Sequence, residues 1–211
     1  ILAGASTRAQ DKKASGALTG DQKAVDALVR DTVERVMAVL KTKETAQADK
    51  KDQVIKIIDP IIDMSLMAKL TLGRNHWPKL DEKQRKEFTD LFKEQLKTSY
   101  FEKLDLLTDE KVEYNEPVEK DKKFQMLTYI LSKGQRVGMA YKLYKDKDAW
   151  KVYDLEIEGV SIVKSYGSQY EEFLRDNPFE HRISGFPLLL TGPADFSHEA
   201  LRQQPLHGAG H

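Results

Sequence analysis

The stretch FQMLTYILSKGQRVGMAYKLYKDKDAWKVYDLEI, residues 124–157, decides the fold, because apolar and polar residues alternate along most of it. A period of two is typical of β-strands, whose successive side chains point to opposite faces. Polar segments at residues 132–134 and 146–148 divide the stretch into strands at about residues 124–131, 136–144 and 149–157. A further strand is predicted over residues 111–116, and the short connections favour an antiparallel sheet.

Apolar residues at helical spacing occupy the chain on both sides of these strands. Their recurrence every three to four residues predicts amphipathic helices with one buried face. The predicted helices cover residues 21–40, 54–58, 64–72, 82–96 and 163–174. Helices that come mostly before a run of strands indicate an α+β fold, in which the last helix can close over the sheet.

Local signals mark the ends of several predicted helices. Pro60 cannot continue a regular turn and stops the second helix. Asp63 can cap the third helix, which Gly73 closes. Asp81 and Gln84 have the spacing of a capping box and start the fourth helix. These signals predict helix boundaries independently of the apolar pattern.

The composition indicates one domain with tails. The chain has 211 residues, 40% of them apolar, which is enough for a substantial core. Residues 1–20 are small and polar and are expected to form a loose leader. Residues 21–180 hold the helical and strand patterns and form the predicted main domain. Residues 181–211 continue no such pattern, and we interpret them as a C-terminal extension. An origin in an expression vector is an alternative explanation for this segment.

The charge balance argues against nucleic acid as a partner. Lys plus Arg number 34 and Asp plus Glu also number 34, so no net field attracts an anionic polymer. Residues 120–123 are basic but lie among acids, and we interpret them as a solvated turn. No run approaches the roughly 20 apolar residues of a membrane-spanning helix. The chain has no cysteine, which excludes disulfides and thiolate ligands. We separately expect the protein to be a monomer.

Histidine chemistry has little support. His76 is the only histidine before residue 181, and it lies beside Trp77-Pro78 in a predicted connection, where a partly exposed loop histidine is the ordinary case. The other histidines have no recognised metal-ligand spacing: His181, His198, His207 and His211. No glycine-rich loop suited to holding a phosphate is present. We therefore predict no metal, no cofactor and no catalytic histidine.

Three carboxylates give the best enzymatic signal. Asp154, Glu156 and Glu158 alternate along one strand and would share a face, with Tyr153 and Leu155 on the opposite face. Paired carboxylates can work as general acid and base. The alternative function is therefore a small enzyme with a cone-shaped α+β fold, similar to nuclear-transport-factor-like isomerases or dehydratases, with Asp154 or Glu156 as its base. A solvated strand face is the more ordinary explanation, and we favour it.

All five methionines lie on elements predicted to face the core: Met37, Met64, Met67, Met126 and Met139. Methionine adapts to irregular apolar volumes, so it suits a lining for flexible acyl chains. It is also common in ordinary cores. The residues alone leave both interpretations open, together with a protein-interaction module whose apolar interior is only core.

Two groups of motifs carry a family resemblance. The first is Asp63-Met-Ser-Leu-Met-Ala-Lys-Leu-Thr-Leu-Gly73, then Trp77 and Glu82-Lys-Gln-Arg-Lys-Glu-Phe88. The second is Tyr141-Lys-Leu143, Trp150-Lys-Val-Tyr-Asp-Leu155 and Glu158-Gly-Val-Ser-Ile-Val163, then Tyr166 and Ser168-Gln-Tyr170. In order and spacing these resemble the MlaC family over most of residues 24–180. The stretch between Gly73 and Trp77 is about one residue longer than the family's usual pattern, and the residues after 180 do not resemble its closing segment.

The resemblance implies a fold and a function. MlaC proteins are periplasmic phospholipid-binding components of the Mla lipid-transport system, also described as toluene-tolerance or ABC-transporter auxiliary proteins. The implied fold is a curved antiparallel sheet of about four strands, wrapped by several helices around a deep apolar pocket. The implied function is a phospholipid shuttle between the outer and inner membranes, which maintains outer-membrane lipid asymmetry and solvent tolerance. Phospholipid would be its cargo, and no enzymatic activity is implied.

The resemblance also implies partners and a pocket lining. The partners are an inner-membrane MCE-domain protein with its ABC transporter and an outer-membrane lipoprotein complex. Candidate lining residues on the strands are Met139, Tyr141, Leu143, Val152 and Leu155, and a bulge would decide which of the last two points inward. Candidates on the helices are Val33, Met37, Ile62, Met67, Leu70, Phe92, Leu96, Val163 and Tyr166. For each of them, plain core packing is an equally good interpretation.

Overall fold

The computed structural model describes residues 17–42, 46–104, 111–132 and 135–176 of the chain. These residues form five α-helices and a curved antiparallel sheet of six strands, which confirms the predicted α+β fold. The predictions for residues 1–16 and 181–211, a loose leader and a C-terminal extension, lie outside the described residues.

All five predicted helices are present, and each extends beyond its apolar pattern. They are α1 (Gly20–Lys41), α2 (Gln47–Ile58), α3 (Met64–His76), α4 (Glu82–Leu104) and α5 (Ile162–Asp176). The predicted capping box starts α4: Asp81 N donates to Gln84 Oε1 over 2.9 Å, and Gln84 N donates to Asp81 Oδ1 over 2.8 Å. Thr19 and Gln22 form a second box at the start of α1, where the sequence predicts only a loose leader.

Gly73 ends the regular part of α3, as predicted. Its backbone adopts φ 65° and ψ −170°, a positive-φ conformation that glycine reaches without steric cost. Beyond this kink the chain makes another helical turn to His76 and then a 3₁₀ turn over Trp77–Lys79. His76 is half-buried, which agrees with the predicted partial exposure, but it ends a helical turn where the sequence predicts a loop.

The sheet contains the four predicted strands and two more. The strands are β1 (Lys111–Tyr114), β2 (Val118–Lys120), β3 (Lys123–Ser132), β4 (Gln135–Asp146), β5 (Ala149–Ile157) and β6 (Val160–Ser161). Their order is β1-β3-β4-β5-β6, and β2 pairs with β3 on the edge that β1 also occupies. The sequence misses β2 and β6 because so short a strand shows no alternation. Positive-φ turns at residues 121–122 and 158–159 connect them to their neighbours, and the first is the predicted exposed turn.

A bulge in β5 changes the register of the sheet. Lys142 pairs with Asp154, but the next residue, Leu143, pairs with Val152. Tyr153 is therefore an extra residue with no partner in the ladder. The alternation of inward and outward side chains along β5 therefore shifts by one residue at Tyr153.

The bulge resolves which side chains of β5 point inward. Val152 and Leu155 both lie on one face of the sheet, because their partners Leu143 and Tyr141 are two residues apart on β4. The prediction that Tyr153 shares the face of Leu155 is wrong. Tyr153 packs edge-on against Tyr144 on the other face, with ring centroids 6.0 Å apart.

A short segment between α2 and α3 covers the edge of β5 at the bulge. Val152 N donates to Ile61 O over 2.8 Å, and Asp63 N donates to Val152 O over 2.9 Å. Ile62 therefore pairs with Val152 in a parallel bridge. This pairing satisfies strand backbone groups that β6 does not reach.

We name the two faces of the sheet by their side chains. The inner face carries Val112, Tyr114, Phe124, Met126, Thr128, Ile130, Val137, Met139, Tyr141, Leu143, Val152, Leu155 and Ile157. The outer face carries the alternate residues, among them Lys142, Asp154 and Glu156. Only the inner face is a continuous apolar surface, so the core lies on that side.

The core consists of two apolar clusters. The α1 cluster joins α1 and α2 to the sheet and contains Val25, Val29, Val33, Met37, Leu40, Val54, Phe124, Met126, Leu143, Trp150 and Val152. The α5 cluster joins α3, α4 and α5 and contains Met67, Ala68, Leu72, Trp77, Leu80, Phe88, Phe92, Ile162, Val163, Tyr166, Tyr170 and Leu174. Met64 and Met139 are the methionines that stay half-buried.

Candidate functional site

The two clusters do not merge over the middle of the inner face. Among the described residues, only Ile62 packs against both of them. Ile130, Val137 and Met139 lie on adjacent strands of the inner face and belong to neither cluster. Most domains of this size form one contiguous core. Within the described residues the apolar core is therefore divided, and Val137 and Met139 keep accessible surface between its two parts.

Accessible surface separates the predicted lining residues into groups. A side chain that faces an open space keeps accessible surface, whereas one without any is packed by protein on all sides. The buried candidates are Val33, Met37, Met67, Phe92, Leu143, Val152, Val163 and Tyr166. The half-buried candidates are Ile62, Leu96, Met139, Tyr141 and Leu155. Only the second group has the accessible surface that contact with a ligand requires.

Leu70 does not belong with either group. Its side chain is 43% exposed on α3, whose buried residues are Met67, Ala68, Thr71 and Leu72. At 3.6 residues per turn, Leu70 projects from the side of the helix opposite the centre of that buried arc. The prediction that Leu70 faces the interior is not supported, because the apolar pattern of α3 is wider than the face it buries.

Tyr141 lies on the inner face beside Thr128. Burial raises the pKa of its phenol to about 12, and the neighbouring Thr128 hydroxyl partly offsets that rise. The side chain is nevertheless only half-buried by accessible surface. Tyr141 also places one polar group on the otherwise apolar inner face.

The buried stripe of α4 ends at polar residues. Phe88 and Phe92 are 1% and 0% exposed, and Gln95 is 6% exposed. The next residue of the stripe, Ser99, is half-buried. Ser99 Oγ lies 2.9 Å from Tyr166 Oη and 3.2 Å from Gln95 Nε2. The packed part of the helix thus gives way to a small polar group with accessible surface.

The sequence does not single out several residues of this region. Half-buried side chains on the inner face include Val112, Tyr114, Val137 and Ile157, and α4 adds Ser99 and Tyr100. Cross-strand pairing is the signal that could have found the strand residues, because Val137 pairs with Ile130 and Tyr114 with Thr128. No signal in the sequence distinguishes Ser99 from any other helical serine.

The outer face carries charges that are already paired. Lys142 Nζ lies 3.1 Å from Asp154 Oδ2 and also contacts Glu156 Oε1. Burial lowers the pKa of Lys142, but hydrogen bonds to Glu156 and Asp154 outweigh burial and leave the pKa raised. At neutral pH this group is therefore a cation between two carboxylates.

Asp154 has a structural role that competes with the predicted role of general base. Its Oδ2 accepts from Ser161 Oγ over 2.7 Å, and its Oδ1 accepts from Val163 N over 3.2 Å. The carboxylate thus binds the first turn of α5, where it also interacts favourably with the helix dipole. Asp154 and Glu156 both lie on the face opposite the apolar inner face. The geometry gives them no access to a ligand held on the inner face.

Histidine and metal chemistry find no support in the part of the chain that the structure describes. His76 Nε2 lies 3.2 Å from Glu171 Oε2 and links α3 to α5. Within the described ranges, no group of three or more His, Cys, Asp or Glu side chains could hold a metal ion. The other histidines, all at or after residue 181, lie outside those ranges. None of the described helices combines the length and the apolar character that crossing a membrane requires.

The chain is similar to a known protein family and to a solved structure. A family model described as MlaC protein matches residues 30–186. A solved structure from Ralstonia solanacearum, described as a phospholipid-binding protein in complex with a phospholipid, has a TM-score of 0.66 to this chain at 24% sequence identity. The similarity covers 72% of this chain and 87% of that chain, and it establishes a shared fold. Among curated proteins, none matches the sequence.

Proposed function

The chain belongs to the MlaC family, and we propose that it is a phospholipid carrier of the periplasm that holds the acyl chains above the inner face of its sheet. The observation that carries this proposal is the divided core. Two apolar clusters cover opposite parts of the inner face, and half-buried apolar side chains occupy the interval between them. A surface of this kind is costly in water unless a ligand covers it.

The chemistry of the inner face fits acyl chains better than a polar ligand. From residue 137 to residue 143 of β4, the inward side chains are Val137, Met139, Tyr141 and Leu143. None of them is charged: a phenol is neutral at physiological pH, and burial raises the pKa of Tyr141 further, to about 12. A ligand with extended apolar parts therefore gains by burial and meets no unpaired charge.

The physical task of such a carrier explains the need for a large apolar space. Two acyl chains contain about 30 methylene groups, and at about 0.8 kcal/mol each their exposure to water costs on the order of 20 kcal/mol. A lipid therefore does not cross an aqueous compartment unaided. The carrier must shield the chains and still release them, so release requires a partner that binds an opened state or competes for the lipid.

The absence of enzymatic activity is part of the proposal. The best carboxylate candidates, Asp154 and Glu156, face away from the apolar space and are bound to Lys142. His76, the one histidine in the described ranges, lies between α3 and α5 beside Glu171. Holding a lipid needs no proton transfer, so a binding protein accounts for these positions.

The pathway rests on family membership. We assign the chain to the Mla system as a shuttle between the outer and inner membranes, with roles in outer-membrane lipid asymmetry and tolerance to solvents such as toluene. Its partners there would be an inner-membrane MCE-domain protein with its ABC transporter and an outer-membrane lipoprotein complex. The chain itself would act as a monomer with phospholipid as cargo.

Native mass spectrometry of the gently purified protein, followed by lipid extraction, tests the proposal. We expect one or more phospholipids bound in stoichiometric amount and identified after extraction. A protein that is folded by circular dichroism and consistently carries no phospholipid, even after incubation with phospholipid vesicles, would overturn the carrier function.

A further inference from the structure

The accessible part of the inner face over β4 and β5 ends at one row of side chains. Along β4, Met139 and Tyr141 are half-buried, and the next inward residue, Leu143, is 0% exposed. Along β5, Leu155 is half-buried, and the next inward residue, Val152, is 3% exposed. Leu143 and Val152 pair with each other across the two strands. The accessible surface therefore ends in the same row on both strands.

Leu143, Val152 and Ile62 form what we call the end wall. Ile62 joins the row through its parallel bridge to Val152, in which backbone groups of residues 61 and 63 bond Val152 over 2.8 and 2.9 Å. Behind the wall, the buried rings of Phe124 and Trp150 pack edge-on with their centroids 5.1 Å apart. All five side chains belong to the α1 cluster or pack against it. A wall held by backbone hydrogen bonds and close packing yields little to a ligand.

The other end of the same strands stays accessible to water. Val137 and Ile157 are half-buried there, and Val160, the partner of Ile157 on β6, is 45% exposed. The turn at residues 158–159 is exposed as well. The apolar surface of β4 and β5 thus has one closed end, at the end wall, and one open end, at Val160.

A phospholipid has two unlike ends, and the two ends of the apolar surface suit them differently. Its phosphate is charged, and removal of a charge from water into apolar surroundings is costly unless a partner compensates it. The only charged side chain in the row beyond the end wall is Lys145, which is exposed and whose Nζ lies 2.7 Å from Asp21 Oδ1. The methyl ends of the acyl chains carry no such cost. The closed end therefore favours the chain ends, and the open end favours the head group.

We propose that the bound phospholipid lies on β4 and β5 with its chain ends against the end wall and its head group at the Val160 end, and that the wall limits the length of the chains. This inference rests on the proposed carrier function and adds an orientation and a chain-length selectivity to it. A chain that is too long for this surface leaves methylene groups outside the protein. Each of them weakens binding about fourfold.

Trp150 can report the orientation directly. It lies two residues from Val152 on the same face of β5, directly behind the end wall, and Trp77 is the only other tryptophan of the chain. The full-length Trp77→Phe protein is loaded with phosphatidylcholine brominated either near the chain ends or near the ester carbonyls, and separated from vesicles. Bromine quenches indole fluorescence only at short range, so we expect the chain-end label to quench Trp150 more strongly. Equal or reversed quenching at equal lipid content would overturn the orientation.

Competition between lipids of one head group tests the chain-length limit. The delipidated full chain is incubated with fluid vesicles that contain equimolar dimyristoleoyl, dipalmitoleoyl, dioleoyl and dieicosenoyl phosphatidylcholine, and the bound lipids are extracted and counted by mass spectrometry. We expect the bound amount to fall beyond a limiting chain length. Leu143→Ala lowers the end wall and should raise the share of the next longer lipid at least about fourfold, the factor for one additional buried methylene group.

Two further variants separate the wall from general stability. Leu80→Ala is the matched control, because Leu80 is 3% exposed in the α5 cluster and lies outside the sheet, so its chain-length profile should equal that of the wild-type protein. Leu155→Phe enlarges a half-buried side chain in the row before the wall and should shift the profile to shorter chains. It creates no cavity, so it tests the inference even where Leu143→Ala does not fold.

The outcomes distinguish this inference from the carrier function on which it rests. Phosphatidylcholine that binds without any dependence on chain length, or a profile that neither Leu143→Ala nor Leu155→Phe changes, contradicts the end wall and leaves the carrier function intact. Failure of all four lipids to bind the folded wild-type protein would instead overturn the carrier function, and this inference with it.

Discussion

The inner and outer faces of the sheet are made by the same strands, but the outer face carries paired charges and the inner face carries none. On the outer face, Lys142 lies between Asp154 and Glu156, and Arg136 Nη2 lies 2.9 Å from Glu113 Oε2. Every one of these charges has a partner of opposite sign. On the inner face, the central side chains are apolar or uncharged, and Val137 and Met139 keep accessible surface and belong to neither cluster.

The two faces differ in whether their side chains have partners within the protein. Charges that are matched by neighbours need nothing further from outside the protein. Apolar side chains with accessible surface remain in contact with water, which is unfavourable until something apolar covers them. We therefore expect the outer face to contribute to stability, whereas the proposed carrier function assigns lipid binding to the inner face.

The largest expected effect comes from removing the central carboxylate of the outer face. Asp154→Ala should lower the free energy of unfolding by about 3 kcal/mol, because it leaves Lys142 with one carboxylate fewer and removes the acceptor of the first turn of α5. Asp154→Asn keeps an oxygen for Val163 N and should cost clearly less. Urea denaturation followed by circular dichroism measures both. An alanine variant as stable as the wild-type protein would show that the outer face is not structural in this sense.

A smaller change in stability, but a large change in binding, is expected on the inner face. Met139→Trp fills the interval between the clusters and should reduce phospholipid occupancy several-fold while changing the free energy of unfolding by about 1 kcal/mol or less. Val118→Trp is the matched control, because Val118 is 64% exposed on β2. Native mass spectrometry gives the occupancy of both variants. A folded Met139→Trp protein with full occupancy would remove Met139 from the lining.

The smallest expected effect concerns the pKa values of two phenols, Tyr141 on the inner face and Tyr144 on the outer face. Burial raises the pKa of Tyr141 to about 12, and a hydrogen bond with Asp63 raises that of Tyr144 to about 12. Both phenols keep their protons above pH 10, where the unfolded chain begins to lose them. Their contribution to stability is therefore complete below about pH 10 and is lost as the pH rises through about 12.

Bound lipid should distinguish these two phenols. It displaces water from Tyr141 and raises its pKa further, whereas Tyr144, on the other face, should not respond. Phenolate absorbance between pH 9 and 12.5, about the window that these pKa values span, is recorded with and without lipid for Tyr141→Phe and Tyr144→Phe. The lipid-dependent part should disappear only in Tyr141→Phe. A lipid effect that survives in Tyr141→Phe would place the lipid elsewhere.

Much of the fold follows from short-range signals. The capping box of Asp81 and Gln84 and the positive φ of Gly73 depend only on neighbours in sequence, so the sequence predicts them correctly. Alternation likewise predicts the four longer strands. The candidate wall residues Met139 and Tyr141 follow from the same alternation, and their role in lipid binding stays a prediction.

The errors occur where a distant segment decides the outcome. Tyr153 lies on the outer face because a bulge interrupts the alternation, at the residue next to Val152, which pairs with Ile62. Leu70 is exposed because its neighbours in space, not its apolar character, determine which arc of α3 is buried. The Ser99 hydroxyl is hydrogen-bonded to Tyr166, which is 67 residues away in sequence. No local pattern contains that information.

The sequence by itself determined the elements of this protein: five amphipathic helices, the long strands of an antiparallel sheet, their caps and the apolar character of one sheet face. These depend on backbone and side-chain preferences that act within a few residues. Only the tertiary structure decided that the apolar residues form two clusters instead of one, and which side chains are left between them. That division depends on how the helices meet the sheet, because packing joins residues that are far apart in the chain.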